Sequence, residues 1–458
     1  MTVRTETSPR VLVAVVVFIG LLVAVIGSLG APLITAVAEH YDVSLAAAQW
    51  TLTIALLSGA VTTPLVGRLG SGPQRRTVVL VTLAVVVAGS LLTVIPLPFA
   101  LLLVGRSAQG AGLGLISLMM ATARDHLDDK RSASTIALLS VASTAGIGIG
   151  YPLAGLLTEL WGIRAAYALG LIVTAAALLA AAVGIPAAPV RPANRVDIRG
   201  AVLLTVGLLA LLIVISQTDL WRDHTALALV VLAVSVLVLN AWAVVETRTD
   251  NPLVDVRLLR HPAIAAANLV MLTGGVGMYL LLSLITRYVQ TPASAGYGFG
   301  LNTFQAGLVL VPFSVLGFVA GRILPGLRGR LGVRLLLAAS TAVVLAAFVL
   351  FALARDRLAE PVIAISILGF GVGAFSAAMP AVILAATPSA ETASAMSVNQ
   401  VVRSVGFSIG SALGGLILGA YTTDLFPRET GYTTAAWAGA ATTAITLLVV
   451  AAVPRSRE

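Results

Sequence analysis

Cysteine is absent from this 458-residue chain. Disulfide frameworks, thiolate metal sites and cysteine nucleophiles are therefore excluded together. Charge is scarce too: Asp, Glu, Lys and Arg make up 10% of the residues, against roughly a quarter in an ordinary soluble domain. Aromatic residues make up 5%, and the four histidines are scattered. No histidine metal cage is expected, and no cofactor. What remains is apolar. Hydrophobic residues form 59% of the chain and the mean hydropathy is +1.02, values that belong to a protein embedded in a bilayer.

Apolar runs separated by charged, Pro-bearing or Gly-bearing breaks fall at about 11-37, 45-66, 77-95, 98-122, 133-158, 165-185, 198-217, 225-245, 263-286, 303-325, 333-354, 361-386, 395-421 and 433-453. Each approaches the roughly 20 residues a spanning helix needs, and the period-2 alternation of a membrane barrel is missing. The fold class predicted is an all-α polytopic membrane protein with fourteen spanning helices. The first run stays apolar for about 27 residues, well past the h-region of a signal peptide, and reads as a spanning helix.

Short cytoplasmic loops retain Lys and Arg. With the N-terminus inside, twenty of the 28 cationic residues fall on the inner side, six on the outer side, and Arg106 and Arg403 within spans. A miscounted span would invert the sign of every later loop. The bias therefore predicts a multi-pass protein of the bacterial cytoplasmic membrane with both termini cytoplasmic. The +9 net charge reads as topology, with anionic lipid headgroups as partners and no nucleic acid. A monomer is expected. The strong preference for Arg over Lys, with abundant Ala, Val and Gly, points to a GC-rich bacterial genome.

GlyArgLeu at 67-69 follows the second span and GlyArgIle at 321-323 follows the tenth. An offset of eight spans predicts two six-helix bundles, residues 1-190 and 261-458, separated by an inserted helix pair with its linkers at 191-260. A substrate path is expected between the bundles.

Several stretches carry chemistry. Loop 67-76, GRLGSGPQRR, offers Arg68, Arg75 and Arg76 at helix ends, where they can bridge to acids such as Asp125 or to helix C-termini. Arg322 is its counterpart in the second half. Arg106 lies inside the fourth span, and an intramembrane arginine is a functional-site hypothesis by default. The fifth span holds GIGIGYPLAG, where Gly146, Gly150 and Gly155 permit close helix approach and Pro152 removes a backbone hydrogen bond. Polar and aromatic residues inside the spans, Gln109, Asn268, Tyr279, Gln305, Asn399, Gln400 and Arg403, are the natural contacts of an amphipathic substrate.

The basic loop at 67-76, the Arg106–Gly112 run, the Gly-rich fifth span with Pro152, GlnAlaGly at 305-307 with Pro312, and AsnProLeu at 251-253 together resemble the major facilitator superfamily. More closely the chain resembles its fourteen-helix drug:proton antiporter family, over essentially its whole length. The resemblance implies export of small drug-like molecules in exchange for protons, without enzymatic activity. It also implies a proton-coupling role for Arg106, a gating role for residues 67-76, and an antiporter signature over Gly146–Gly155. Where cation exporters of that family commonly carry an Asp in the first span, residues 11-37 have no acid. The nearest titratable groups are Glu39 and His40 at the outer end of the first span and Glu159 at the outer end of the fifth, with Arg106 expected to reach one of the two carboxylates. With two arginines and no central acid, the cavity should favour neutral or anionic compounds over dications. The alternatives left open are a proton-independent facilitator or exchanger of neutral or anionic metabolites, and a lipid exporter.

Overall fold

The structure, a computed structural model, describes residues 8-29, 33-43, 45-187, 197-249, 252, 254, 256-385, 387-422 and 426-452. AsnProLeu at 251-253 falls largely outside the described residues.

Seventeen α-helices account for nearly all of it. They are α1 (Pro9–Ser28), α2 (Ile34–Tyr41), α3 (Leu45–Leu69), α4 (Arg75–Val94), α5 (Phe99–Gly110), α6 (Leu115–His126), α7 (Asp129–Trp161), α8 (Ile163–Gly184), α9 (Ile198–Ser216), α10 (Thr218–Asp223), α11 (Thr225–Arg248), α12 (Pro262–Gln290), α13 (Thr303–Val309), α14 (Val311–Leu353), α15 (Ala359–Ala385), α16 (Thr392–Ala420) and α17 (Glu429–Ala452). Local sequence sets several starts. The Asp128 carboxylate accepts from the Arg131 backbone N–H at 2.9 Å at the head of α7, and Asn302 and Gln305 form a reciprocal capping box at α13, each satisfying otherwise orphaned donors.

Thirteen helical stretches among the described residues are long and apolar enough to cross a bilayer. The 33-residue α7 covers the span predicted at 133-158. The protein is a multi-pass, all-α membrane protein. Three predicted spans differ in detail. The first ends at Ser28 and is followed by a separate short helix, α2. The fourth is interrupted by a 3₁₀ turn at Ala111–Gly114 between α5 and α6. The break predicted between the tenth and eleventh spans is no loop: helix runs on through α14 and changes direction only at Gly332, with φ 71° and ψ 154°. That conformation has no steric cost only for glycine.

Helices α1 to α8 pack chiefly among themselves, as do α12 to α17, and the two sets meet along two seams. One seam joins α3 and α6 to α16. The other joins α7 to α13, α14 and α15. The remaining pair is asymmetric. α9 lies across α3 and α16, with Leu204, Leu208 and Leu212 buried against Leu57, Val61, Leu65, Val398, Val401 and Val405. α11 packs mainly on α9 and turns Leu229, Val230 and Leu237 outward, the pattern of a lipid-facing helix.

One face of the molecule carries Arg68, Arg75, Arg124 and Arg131, and is called here the arginine-rich face. On the opposite face, the segment after α12 folds back over its own helix set. The Tyr297 hydroxyl donates to the Pro427 carbonyl, and burial, aided by nearby Tyr432, pushes that hydroxyl's pKa up. Arg355 is buried there, donating to Glu429 at 3.0 Å and to Thr433 at 2.5 Å. This loop seals the second set and does not reach across to the first.

Candidate functional site

Three groups of residues lie on or beside the contact between the helix sets: a polar and aromatic face at mid-depth on α16, a clasp at the arginine-rich face, and a buried network around Arg106.

The first group is built on α16. Gln400, Arg403, Ser404, Phe407 and Ser411 recur at three- and four-residue steps and so share one helix face. All five are half-buried. A second face, through Asn399, Gly406 and Gly410, lies on α12. There the Asn399 amide donates to the Asn268 side-chain oxygen at 3.2 Å, and an added Cβ at Gly406 would lie 2.6 Å from the Leu272 carbonyl oxygen. A third, through Val398, Val401 and Val405, meets α9. The face bearing Arg403 is therefore turned inward, away from α9. The Arg403 guanidinium sits 5.6 Å from the Phe407 ring centroid. Phe407 stacks on Tyr279 of α12, with centroids 5.3 Å apart and planes 28° from parallel. Tyr151 of α7 is half-buried where α7 meets α13, its backbone carbonyl carbon 3.1 Å from a Cβ added at Gly307. Arg403, Phe407 and Tyr279 thus bring together a cation, a phenyl ring and a phenol, groups that suit an amphipathic guest.

The clasp closes the arginine-rich face. Arg124, near the end of α6, donates to Thr392 Oγ1 at 2.8 Å, to the Thr387 carbonyl at 3.1 Å and to the Leu384 carbonyl at 3.3 Å. It thereby occupies carbonyls at the C-terminal end of α15, which carry the negative pole of that helix. Beside it the Ser397 hydroxyl bonds Ser117 at 3.0 Å, and Arg68 lies 3.8 Å from Glu391. The two sets are also joined at mid-depth, where the Gly148 N–H donates to Ser314 Oγ at 2.6 Å. Arg75 braces the clasp from within the first set. Its guanidinium meets Asp125 at 2.6 Å and the Gly70 carbonyl at 2.8 Å, with both charged side chains nearly dry.

Arg106 is fully buried inside the first set. Its Nε donates to the Thr51 carbonyl at 3.0 Å and its Nη1 to the Gln109 amide oxygen at 2.6 Å, while Gln109 donates onward to Ser90 at 3.0 Å. The expected pairing of Arg106 with Glu39 or Glu159 is not formed. Both carboxylates are exposed at helix ends, as is His40, whose ring packs edge-on against Tyr41. Gln109 accordingly serves Arg106 and not the α16 group.

Other predicted residues divide. Asn268, Tyr279, Asn399, Gln400 and Arg403 come together as described. Gln305 does not: it is exposed, and its side chain completes the α13 capping box. Arg75 and Asp125 meet, whereas Arg76 instead donates to the Ala182 carbonyl at 2.7 Å, and Arg322 is exposed with no ion pair to an acid among the described residues. Of the α7 signature, Gly146 faces Ala24 of α1, Gly150 is buried, and Gly155 and Pro152 face α13 at Phe304 and Gly307. Sequence reasoning missed Arg124, Ser314, Tyr151 and Phe407. Tyr151 and Phe407 carry a usable signal, since each is an aromatic residue inside a Gly-rich span. Arg124 carries none, because its carbonyl partners lie 260 and 263 residues away.

The Major Facilitator Superfamily family model matches residues 16–411, and the chain belongs to that family of membrane transporters. Among similar proteins is the multidrug resistance protein Stp of Mycobacterium tuberculosis, 24% identical over 81% of this chain and 69% of its own length. The quinolone resistance protein NorB of Staphylococcus aureus is 25% identical over 80% and 78%. The cephamycin export protein CmcT of Amycolatopsis lactamdurans is 30% identical over 65% of this chain and 61% of its own length. The crystal structure of the human organic anion transporter MFSD10 shares the fold, with a TM-score of 0.71 over 97% of this chain at 15% identity.

Proposed function

We propose that this transporter is a secondary active exporter of small amphipathic, drug-like molecules, with the arginine-rich face in the cytoplasm. The observation that carries this reading is the one-sided clasp. Residues 1-190 and 261-458 act as two rocking bundles, and 191-260 as an inserted pair beside them. With polar contacts between the bundles at the arginine-rich face and the polar, aromatic face of α16 above them, the arrangement is the outward-facing member of an alternating-access pair. Opening the clasp exposes that face of α16 to the cytoplasm. The relatives named for multidrug resistance and cephamycin export support the outward direction.

Proton antiport is the coupling we propose, with the Arg106 network as the element that reorganises and Glu39, His40 and Glu159 as groups able to exchange protons at the outer rim. A proton-independent facilitator or exchanger is the second reading. It is favoured by one observation: among the described residues, every carboxylate falls in a connection or the terminal turn of a helix, outside the middle of any span. Uptake of an amphipathic dye into inverted proteoliposomes, with and without an imposed pH gradient, separates the two. Antiport predicts accumulation that collapses with the gradient. Movement that ignores the gradient assigns an exchanger, and absence of movement across a broad panel refutes export.

A further inference from the structure

Below the contact of Gly321 with Val141, the α7–α14 seam opens into a cavity of about 380 Å³. At about 30 Å³ for each water, that is the volume of roughly a dozen waters, enough for one compact organic body. Three helices wall it. From α7 come Asp129, Ser132, Ala133, Ile136 and Ala137, whose three- and four-residue steps put them on one helix face. Because α14 turns at Gly332, Leu324 reaches the cavity from the arm before the bend, and Val333 and Leu336 from the arm after it. α15 adds Ala377, Ala381 and Leu384. The walls are mostly apolar, and the charged lining residues are Arg124 and Asp129. Arg124 already donates its terminal nitrogens to Thr392 and to the Leu384 and Thr387 carbonyls. Asp129 is exposed and, among the described residues, forms no ion pair. Lys130 and Arg131 fall off the lining face, and Arg131 pairs with Asp128 at 3.4 Å.

Resting on the reading that the two helix sets part at this face, we propose that the cavity binds a small organic ammonium compound, its apolar body between α7 and the α14–α15 pair and its charged end at Asp129, and that the bound guest holds the arginine-rich face shut. The second part follows from which helices the guest touches. α7 belongs to the first set, and α14 and α15 to the second, so a body seated between them loses one wall when the sets part. It binds the closed form more tightly and shifts the balance toward that form by the same factor. Burial of the apolar body supplies most of the affinity, and an exposed carboxylate adds a modest preference for the ammonium end. A carboxylate guest would find the Arg124 nitrogens engaged and Asp129 of its own sign.

The test uses the full purified chain and three naphthyl compounds that differ only in an ammoniomethyl, a hydroxymethyl or a carboxylate group, with binding measured by equilibrium dialysis. The parent protein should bind the ammonium compound about threefold more tightly than the alcohol, and the carboxylate least. Asp129→Asn should bring the ammonium compound to the alcohol's affinity and leave the alcohol unchanged. Ala381→Phe fills the space and should weaken the ammonium compound and the alcohol about tenfold. Ala133→Leu, at a second lining position, carries the argument if size-exclusion elution shows that Ala381→Phe does not fold. Spin labels at Leu69→Cys and Ser389→Cys, both exposed and outside the cavity lining, then report the opening in an Arg124→Ala background. Saturating ammonium compound should lower the ratio of the longer to the shorter distance about tenfold, and Ala381→Phe in the same background should abolish that response. Absence of binding, binding that neither filling variant weakens, or an ammonium preference that survives Asp129→Asn overturns the proposal. A longer-distance population that the guest leaves unchanged or enlarges also overturns it, while the opening of this face stands. A background with no longer-distance population removes the opening and the proposal together.

Discussion

Along the α7–α14 seam the two helix sets meet with almost no side chain between them, whereas along the α3–α16 seam they meet through charges, hydroxyls and an added helix. On the first, Gly155 faces Phe304, Gly307 lies against Pro152, the Gly148 N–H bonds Ser314, and Gly321 takes Val141. Only below Val141 does this seam open, into a cavity of about 380 Å³ between α7, α14 and α15 that reaches Arg124 and Asp129. On the second, Gly67 admits Ser397, Ser397 bonds Ser117, and α9 lays a leucine row over the join. Small residues driving close approach give membrane helices a rigid fit, while hydrogen bonds to hydroxyls and carbonyls can be exchanged for water. The α7–α14 seam has the properties of a bearing and the arginine-rich end of the other those of a latch.

Breaking the bearing should have the largest effect. A Cβ at Gly307 lies 2.9 Å from both the Cα and the nitrogen of Pro152, so Gly307→Val must push backbone apart. A loss of about 3 kcal/mol is expected, seen as a drop in detergent melting temperature together with loss of transport. Removing the latch comes next. Arg124→Ala deletes three charge-assisted bonds that water replaces in part, shifting the closed–open balance by about 2 kcal/mol, while the melting temperature changes little. Ser314→Ala sharpens the comparison, since it removes the neutral bond from the Gly148 N–H in the bearing and keeps the packing. About 0.5–1 kcal/mol is expected, read as a small loss of melting temperature and no change in the closed–open balance. Arg68→Gln should be nearly silent, within about 0.5 kcal/mol, because its 3.8 Å pair with Glu391 is long and partly wet.

Most of the architecture was legible because bilayer thickness imposes a length on every apolar run. The kinked joint at Gly332 was not, since a Gly-Arg-rich break reads alike as a loop or a bent helix. The α16 group was half legible: a polar residue inside a span announces itself, so Asn268, Asn399 and Arg403 stood out, although the first two pair with each other between α12 and α16. Gln305 misled, because helix N-terminal capping also calls for Gln at the third position and the run boundary placed it inside the membrane. Arg106 was conspicuous by depth, but depth does not say which neighbour answers it. Here that neighbour is a backbone carbonyl and Gln109 instead of a carboxylate. Contacts such as Arg124 with α15 depend on helix placement alone and leave no mark on local pattern.

The natural chain has no cysteine, which makes site-directed spin labelling direct. Labels at Arg131→Cys on α7 and Ala385→Cys on α15, both exposed positions flanking the Arg124 clasp, report the separation of the helix sets at the arginine-rich face by double electron–electron resonance. With Arg124 intact, one short distance should dominate. With Arg124→Ala in the same background, a second, longer population should grow, its ratio to the short one rising roughly thirtyfold for a 2 kcal/mol shift. A distribution that Arg124→Ala leaves unchanged, or a long distance already dominant in the parent, would contradict the clasp as the device that closes this face.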